Sequence, residues 1–389
     1  MIRRIALLAA IAVVAMACQG SADAGSEGLL AVVDDGGDLV VLAPDGEPVR
    51  TMTELDDGVV VFQPIWSGPD HLVYVEQGAL GGELVVVGID GAERQRVEFA
   101  APPFYVYPRP GDGDAADIVS LRNDLEGGLA AEVIDADGNV SGLDGDFPFF
   151  FTWTADGRVV AHLEGVFLEE VFPGRRPVAD GIGAFGAPGS RGNDVVFIRT
   201  AGGRSILSVL ADGEVDDVAT VRGPAQLVVG GDRVAVRSVA TDEGGAVEAL
   251  AQTIPSPPSD TLVVVGLDDG AVDIVATGGV VAFFWDPSGD RLLYLVVEDE
   301  SRGQLRWHVW EEGTVSDYAI FVPDASWFAN FVPFFDQYSQ SMTLWSPDGD
   351  AFAFPGSVDG EAGVWVQHLE ETSATRVSSG SWVAWGPSR

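Results

Sequence analysis

From Leu29 to the C-terminus the chain alternates short apolar runs, rich in Val, Leu, Ala and aromatic residues, with clusters of Asp, Gly and Pro. Runs of this length bounded by turn formers predict β-strands, and no stretch keeps a helical period for three turns. The most regular unit is a hairpin, two runs around an Asp-Gly or similar turn. Such turns need positive φ, which Gly accepts freely and Asp tolerates better than most residues. In chain order the hairpins are "LVVLAPDGEPVRTM" from Leu39, "LVVVGIDGAERQRV" from Leu84, "AEVIDADGNVSGL" from Ala131 and a degenerate "LEEVFPGRRPVAD" from Leu168. They continue with "LSVLADGEVDDVA" from Leu207, "LVVVGLDDGAVDIV" from Leu262, "WHVWEEGTVSDYA" from Trp307 and "VWVQHLEETSATRV" from Val364.

A further strand pair precedes each hairpin, clearest in "LWSPDGDAFAF" (Leu344–Phe354) and "FWDPSGDRLLYL" (Phe284–Leu295), with relatives at Ile65 and Thr152. A unit of about 40 to 45 residues holding four short strands is the blade of a β-propeller. The Trp-x-Pro stretch then forms the turn from the innermost strand to the second, with the tryptophan wedged between neighbouring blades. The chain closes with "SWVAWGPSR", a first strand without a blade after it, and opens after Gly28 with three strands lacking a first. Joining the ends completes one blade and leaves no open sheet edge. The expected fold is therefore all-β, a propeller of about eight four-stranded blades. Seven is the alternative if the weak unit at Thr152 to Asp180 merges with a neighbour.

The blade resembles the TolB-like family of propeller repeats, marked by W-S-P-D-G followed by a strand. Trp345-Ser346-Pro347-Asp348-Gly349 and Trp285-Asp286-Pro287-Ser288-Gly289 carry the match, with partial copies at Trp66 and Trp153 and a truncated one at Trp385. The likeness runs from Leu29 to Arg389 and specifies fold more than function. Nothing matches TolB's own helical N-terminal domain, so a role in the Tol system does not carry over. Propellers of this type also precede serine peptidase domains, but no G-x-S-x-G elbow occurs and eight blades consume the chain.

The N-terminus reads as an export signal over residues 1–17: "MIRR" is a positive n-region, and Ile5 to Ala17 is an apolar run too short to span a bilayer. The sole cysteine, Cys18, follows directly, ahead of the small polar linker "QGSADAGSEG". This arrangement resembles a bacterial lipoprotein signal, which implies lipidation of Cys18 and anchoring at the outer face of the cytoplasmic membrane or in the envelope. A plain A-x-A cleavage site at Ala15-Met16-Ala17 is the alternative. Residues 18–28 would be the lipidated cysteine and linker, and 29–389 the propeller domain.

Charge narrows the partners. The 389 residues carry 60 acidic side chains against 21 basic ones, a net charge of −39, and every basic residue is an arginine. Such a surface repels nucleic-acid phosphates and anionic headgroups, so nucleic acid is excluded and the membrane is reached through the lipid alone. The four histidines, His71, His162, His308 and His368, fall one to a blade on second or third strands, without ligand spacing. Asp-rich stretches at Pro110–Asp117 and Asp135–Gly138 could accept structural calcium, although no EF-hand loop is present. No other cofactor is implied.

Two insertions interrupt the repeat: Arg237–Asp260, which ends in a Pro-rich piece, and the aromatic Phe321–Leu344. The second supplies Trp327, Phe328, Phe331, Phe334, Phe335, Asp336 and Tyr338, the candidate partner-binding residues if the cluster is exposed. The alternative is that it is buried over one channel mouth, a reading favoured by the aromatic run "DFPFFFTW" (Asp146–Trp153). The functional expectation is a non-enzymatic, monomeric, lipid-anchored propeller that binds a protein or ligand. A secreted hydrolase or lactonase using carboxylates and a divalent metal at the channel axis is the competing one.

Overall fold

A computed structural model describes residues 28–388, apart from 56–57, 112–116, 125–127, 144–148, 164–166, 180–185, 202–203, 222–224, 239–246 and 250–260. The expected export signal, Cys18 and the adjoining linker lie outside the described residues, as do most of the 237–260 insertion and the middle of the acidic run at 110–117.

Among the described residues the strands form seven sheets, which divide into eight antiparallel units, blades 1 to 8 in chain order, once the seven-stranded sheet is parted between blades 7 and 8; the eighth has three strands and a single bridge. Their innermost strands are Trp382–Trp385, Val60–Trp66, Pro103–Pro108, Phe149–Trp153, Gly189–Arg191, Ala225–Gly230, Val280–Trp285 and a short stretch bridged at Trp345 to Phe352. All eight sequence hairpins are the third and fourth strands of their blades. The weak unit at Thr152 to Asp180 belongs to a complete blade, the fourth, which settles the count at eight.

Blade 1 is made from both ends of the chain. Leu30–Val33 pairs antiparallel with Trp382–Trp385, setting Leu30 opposite Trp385 and Val33 opposite Trp382. Side chains on these paired strands belong to an apolar layer of Leu30, Val32, Val383 and Trp385, all essentially inaccessible to water.

The repeated tryptophans work alike at four of the seams. The indole Nε1 of Trp66 donates to Ala384 O of blade 1 at 3.0 Å, and that of Trp153 to Tyr107 O of blade 3 at 3.0 Å. Trp285 donates to Val228 O of blade 6 at 3.0 Å, and Trp345 to Phe284 O of blade 7 at 3.2 Å. A wide apolar ring thus fills the gap between blades, while its one polar atom satisfies a carbonyl of the preceding innermost strand. The fit leaves no room for a side chain on that neighbour. A Cβ on Gly230 would lie 2.3 Å from the Trp285 ring, and one on Gly386 2.8 Å from the Trp66 ring.

Two departures from the simple repeat position the rest. Part of the 237–260 insertion, Val247–Ala249, returns as a fifth strand on blade 5, against Glu214–Val221. The outermost strand of blade 7, Thr314–Pro323, runs on to pair Val322 with Ser357 and Pro323 with Gly356 of blade 8. This extension turns the chain from the rim of the ring toward its axis.

Candidate functional site

At Asp324 the chain enters a compact helical insert: an α-helix at Ala325–Asn330, a 3-10 turn at Val332–Phe334 and a short helix at Phe335–Tyr338. The Asp324 carboxylate caps the first helix, accepting from Ser326 N at 2.8 Å and Trp327 N at 3.0 Å. Pro333 at the start of the 3-10 turn has no N–H to leave unsatisfied.

The insert plugs the propeller axis. Phe331 stacks on Trp327 at 5.2 Å and on Phe284 of blade 7 at 5.7 Å, and meets Trp382 of blade 1 edge-on at 6.3 Å. Phe335 lies edge-on to Phe283 of blade 7 at 4.8 Å, and Tyr338 to Tyr105 of blade 3 at 4.6 Å. Gln337 binds blade 4 through both ends of its amide: Oε1 accepts from Phe151 N and Nε2 donates to Phe151 O, each at 2.9 Å. The Tyr105 hydroxyl donates to Gln337 O at 3.1 Å, and Gln340 Nε2 donates to Pro188 O at the entry to blade 5, also at 3.1 Å.

Of the candidate partner-binding residues, Trp327, Phe331, Phe335, Asp336 and Tyr338 are buried in this plug. Phe328 and Phe334 keep 40% and 52% of their surface exposed and face outward at that mouth of the ring. Full burial of an aromatic side chain contributes about 2–3 kcal/mol, so the three inaccessible rings Trp327, Phe331 and Phe335 hold the plug firmly.

Asp336 is the chemical oddity of the plug. Its Oδ2 accepts from Ala187 N at a long 3.4 Å, with Gln226 of blade 6 nearby. Burial away from water pushes its pKa up to about 6, only partly opposed by these hydrogen bonds. Burial likewise raises the Tyr338 phenol to about 12 and lowers His162, whose Nδ1 lies 3.1 Å from Gly186 O.

The histidines stay apart, in blades 2, 4, 7 and 8; His308 stacks on Tyr294 with its Nδ1 2.9 Å from Asp317. Among the described residues no group of three His, Cys, Asp or Glu side chains is placed to hold a metal ion. Asp135 spends its carboxylate on its own turn, accepting from Asp137 N and Asn139 N.

The opposite end of the axis, where the Trp-x-Pro turns gather, is open. Two adjoining clefts of about 310 and 290 Å³ share Thr343 and Pro387. Segment 339–343, the tail of the plug, lines both. Trp285, Trp345 and Trp385 wall one cleft with Pro287 and Pro347; Trp66, Tyr107, Pro69 and Pro108 wall the other. The surrounding turns carry exposed Asp70, Asp156, Asp232, Asp290, Asp348 and Asp350. Neighbouring guanidinium groups are engaged: Arg109, on the wall of the second cleft, with Asp117 at 3.8 Å, Arg291 with Glu311 and Asp350, and Arg158 with Asp156 and Glu170. The result is an apolar floor inside an acidic rim. Sequence reasoning read the Trp-x-Pro turns as architecture alone; the proline two or three residues after Trp66, Trp285, Trp345 and Trp385 was the available sign of a second role.

No protein-family model matches the chain, and no curated protein sequence matches it. Solved structures do. A eukaryotic initiation factor is 10% identical with a TM-score of 0.58, over 93% of this chain and 98% of that one. A prolyl endopeptidase is 12% identical with a TM-score of 0.51, over 89% of this chain and 55% of that one. TolB from Acinetobacter baumannii is 13% identical with a TM-score of 0.37, over 80% and 81% of the two chains. At such identities the likeness is one of fold, a β-propeller, and unrelated functions use that fold.

Proposed function

We propose that this chain is a binding module, not an enzyme, carried outside the cytoplasm on a lipid at Cys18, and that a polypeptide partner docks in the Trp-x-Pro cleft. The observation that carries the reading is the division of the axis. One end is filled by a plug whose rings and amides are committed to holding it, while the other offers preformed apolar clefts. Rigid concave apolar surface with a few polar groups is what recognition sites are made of. The acidic rim selects the partner's chemistry, an apolar anchor flanked by Arg or Lys, with binding weakened by salt. A carboxylate-and-metal hydrolase would need the axis position that Phe331, Phe335 and Gln337 occupy.

The test is photo-cross-linking in native membranes from Pro287 at the cleft and from Phe334 at the plug. The reading expects a partner cross-linked from 287 and not from 334, whose purified segment binds at least tenfold more weakly to Pro287→Glu. Cross-linking confined to position 334 would move the site to the plug face, and no partner at either position would remove the binding-module reading.

A further inference from the structure

The turns around the open mouth fall into two arcs, and we infer that the apolar arc takes a proline-rich segment of the partner in the polyproline-II conformation, with Arg or Lys at its ends. The inference rests on the docking reading proposed above and adds the conformation of what docks. On five consecutive blades, 7, 8, 1, 2 and 3, the turn after the innermost strand carries a proline: Pro287, Pro347, Pro387, Pro69 and Pro110. The same turns of blades 4, 5 and 6 have none and carry Asp156, Asn193 and Asp232. Both clefts, of about 310 and 290 Å³, lie wholly on the proline arc.

That arc offers rings and few donors. Pro287, Pro387 and Pro110 are exposed, with Trp285, Pro347 and Pro69 half-buried between them. Proline has no N–H. The indole N–H groups of Trp66, Trp285 and Trp345 are spent on carbonyls of neighbouring blades. Turn amides are likewise closed within the protein, one on each blade of the arc: Asp286 N on Arg291 O, Ser346 N on Ala351 O, Gly386 N on Leu29 O, Ser67 N on His71 O and Arg109 N on Asp117 O, at 2.7–2.9 Å. A partner strand added to a sheet edge needs a row of main-chain groups to pair with, and turns closed in this way do not supply it.

Polyproline II makes no such demand. It has no internal hydrogen bonds and keeps its backbone in water, while residues three apart share a face at about 9 Å spacing. One face can therefore lay an apolar residue in each of two adjoining clefts and rest its pyrrolidine rings on Trp285 and the prolines. Clefts this small return little binding energy, which favours a ligand already stiff in its bound form. Charge sets the ends of the segment. Among the described residues the only charged side chain lining either cleft is Arg109, paired with Asp117 at 3.8 Å. The exposed carboxylates of Asp290 and Asp348 stand on the turns beside the first cleft and that of Asp70 beside the second, outside both linings. Cationic residues accordingly belong at the flanks and prolines between them.

The test is selection of random twelve-residue peptides displayed on phage, using the full-length protein as bait, with each recovered peptide placed by photo-cross-linking from position 287 or position 334. The expected result is a set of peptides that cross-link from 287, carry prolines three residues apart between basic residues, and bind about tenfold or more weakly when those prolines become alanine. Peptides that cross-link from 287 but lack prolines, or that bind as well after the alanine changes, would overturn the conformation and leave the docking reading standing. Selection that yields no peptide cross-linked from 287 would overturn the docking reading and this inference with it.

Discussion

Gly230→Ala puts the tryptophan seams to a direct test because general expectation and this structure disagree on its sign. Adding a methyl group to a strand glycine ordinarily restricts the unfolded chain and stabilises by about 0.4–1 kcal/mol where the backbone permits it. Gly230 does not have a positive φ, so its backbone permits alanine. The space does not: the new Cβ would lie 2.3, 2.4 and 2.6 Å from three atoms of the Trp285 ring. That ring cannot swing aside without breaking the Trp285 Nε1 to Val228 O bond and opening the seam between blades 6 and 7. Overpacking costs about 1–3 kcal/mol and a lost hydrogen bond about 0.5–1.5 kcal/mol. We therefore expect a net loss of roughly 2–4 kcal/mol from those terms, read as a lower urea midpoint with unchanged slope. Gly142→Ala is the control, since a Cβ there meets nothing within 4 Å; it should be neutral or mildly stabilising. In a Trp285→Ala background the cost of Gly230→Ala should vanish, giving a coupling energy of opposite sign and similar size. A Gly230→Ala protein as stable as the parent would refute the wedge account of the repeat.

Three further predictions concern the plug and the surface. Gln337→Ala removes both of its amide bonds to Phe151, while Gln340 Nε2 still donates to Phe151 O at 3.3 Å, so a loss of about 1–3 kcal/mol is expected by denaturant titration, with faster amide exchange at Phe151. Asp336, with its folded pKa raised to about 6, binds its proton more tightly folded than unfolded, so wild-type stability falls as pH rises from about 4 to about 6 and then levels. Asp336→Asn should flatten that slope and be more stable by up to about 3 kcal/mol at pH 7.5, with no advantage at pH 4; an unchanged pH profile would count against a buried, titrating carboxyl. With a net charge of −39, the compact state repels itself, so raising NaCl from 0.1 to 1 M should increase the melting temperature by roughly a few degrees, and a decrease would contradict this.

Much of the architecture was legible because each blade repeats the same local physics. The Asp-Gly hairpins, the terminal strand "WVAW" and the Trp-x-Pro turns reflect constraints within a few residues of one another, and the structure meets them in the expected strands. Seams that use other residues were less visible: the innermost strands of blades 3, 5 and 6, Pro103–Pro108, Gly189–Arg191 and Ala225–Gly230, contain no tryptophan. The aromatic insertion was recognised, but composition cannot distinguish a ring that faces solvent from one that faces an axis. What decides it is the register of Gln337 against Phe151 and of Phe331 against Trp382, contacts between segments far apart in the chain. The fifth strand on blade 5 was hidden for the same reason, since Val247–Ala249 pairs with a blade other than the one it is inserted in. The adjoining clefts escaped notice because turns from five separate blades build them, each unremarkable alone.

The joint between Leu30–Val33 and Trp382–Trp385 gives the molecule a timetable as well as a shape. The strand that completes the first blade is synthesised after all the other blades, so the ring cannot lock until Trp382–Trp385 has emerged from the ribosome or crossed the membrane. Until then blade 1 offers a bare strand edge, the kind of surface that chaperones guard and that pairs with stray chains. A nascent chain stalled before Trp382 should therefore stay protease-sensitive throughout, whereas emergence of Trp382–Trp385 should convert it in one cooperative step.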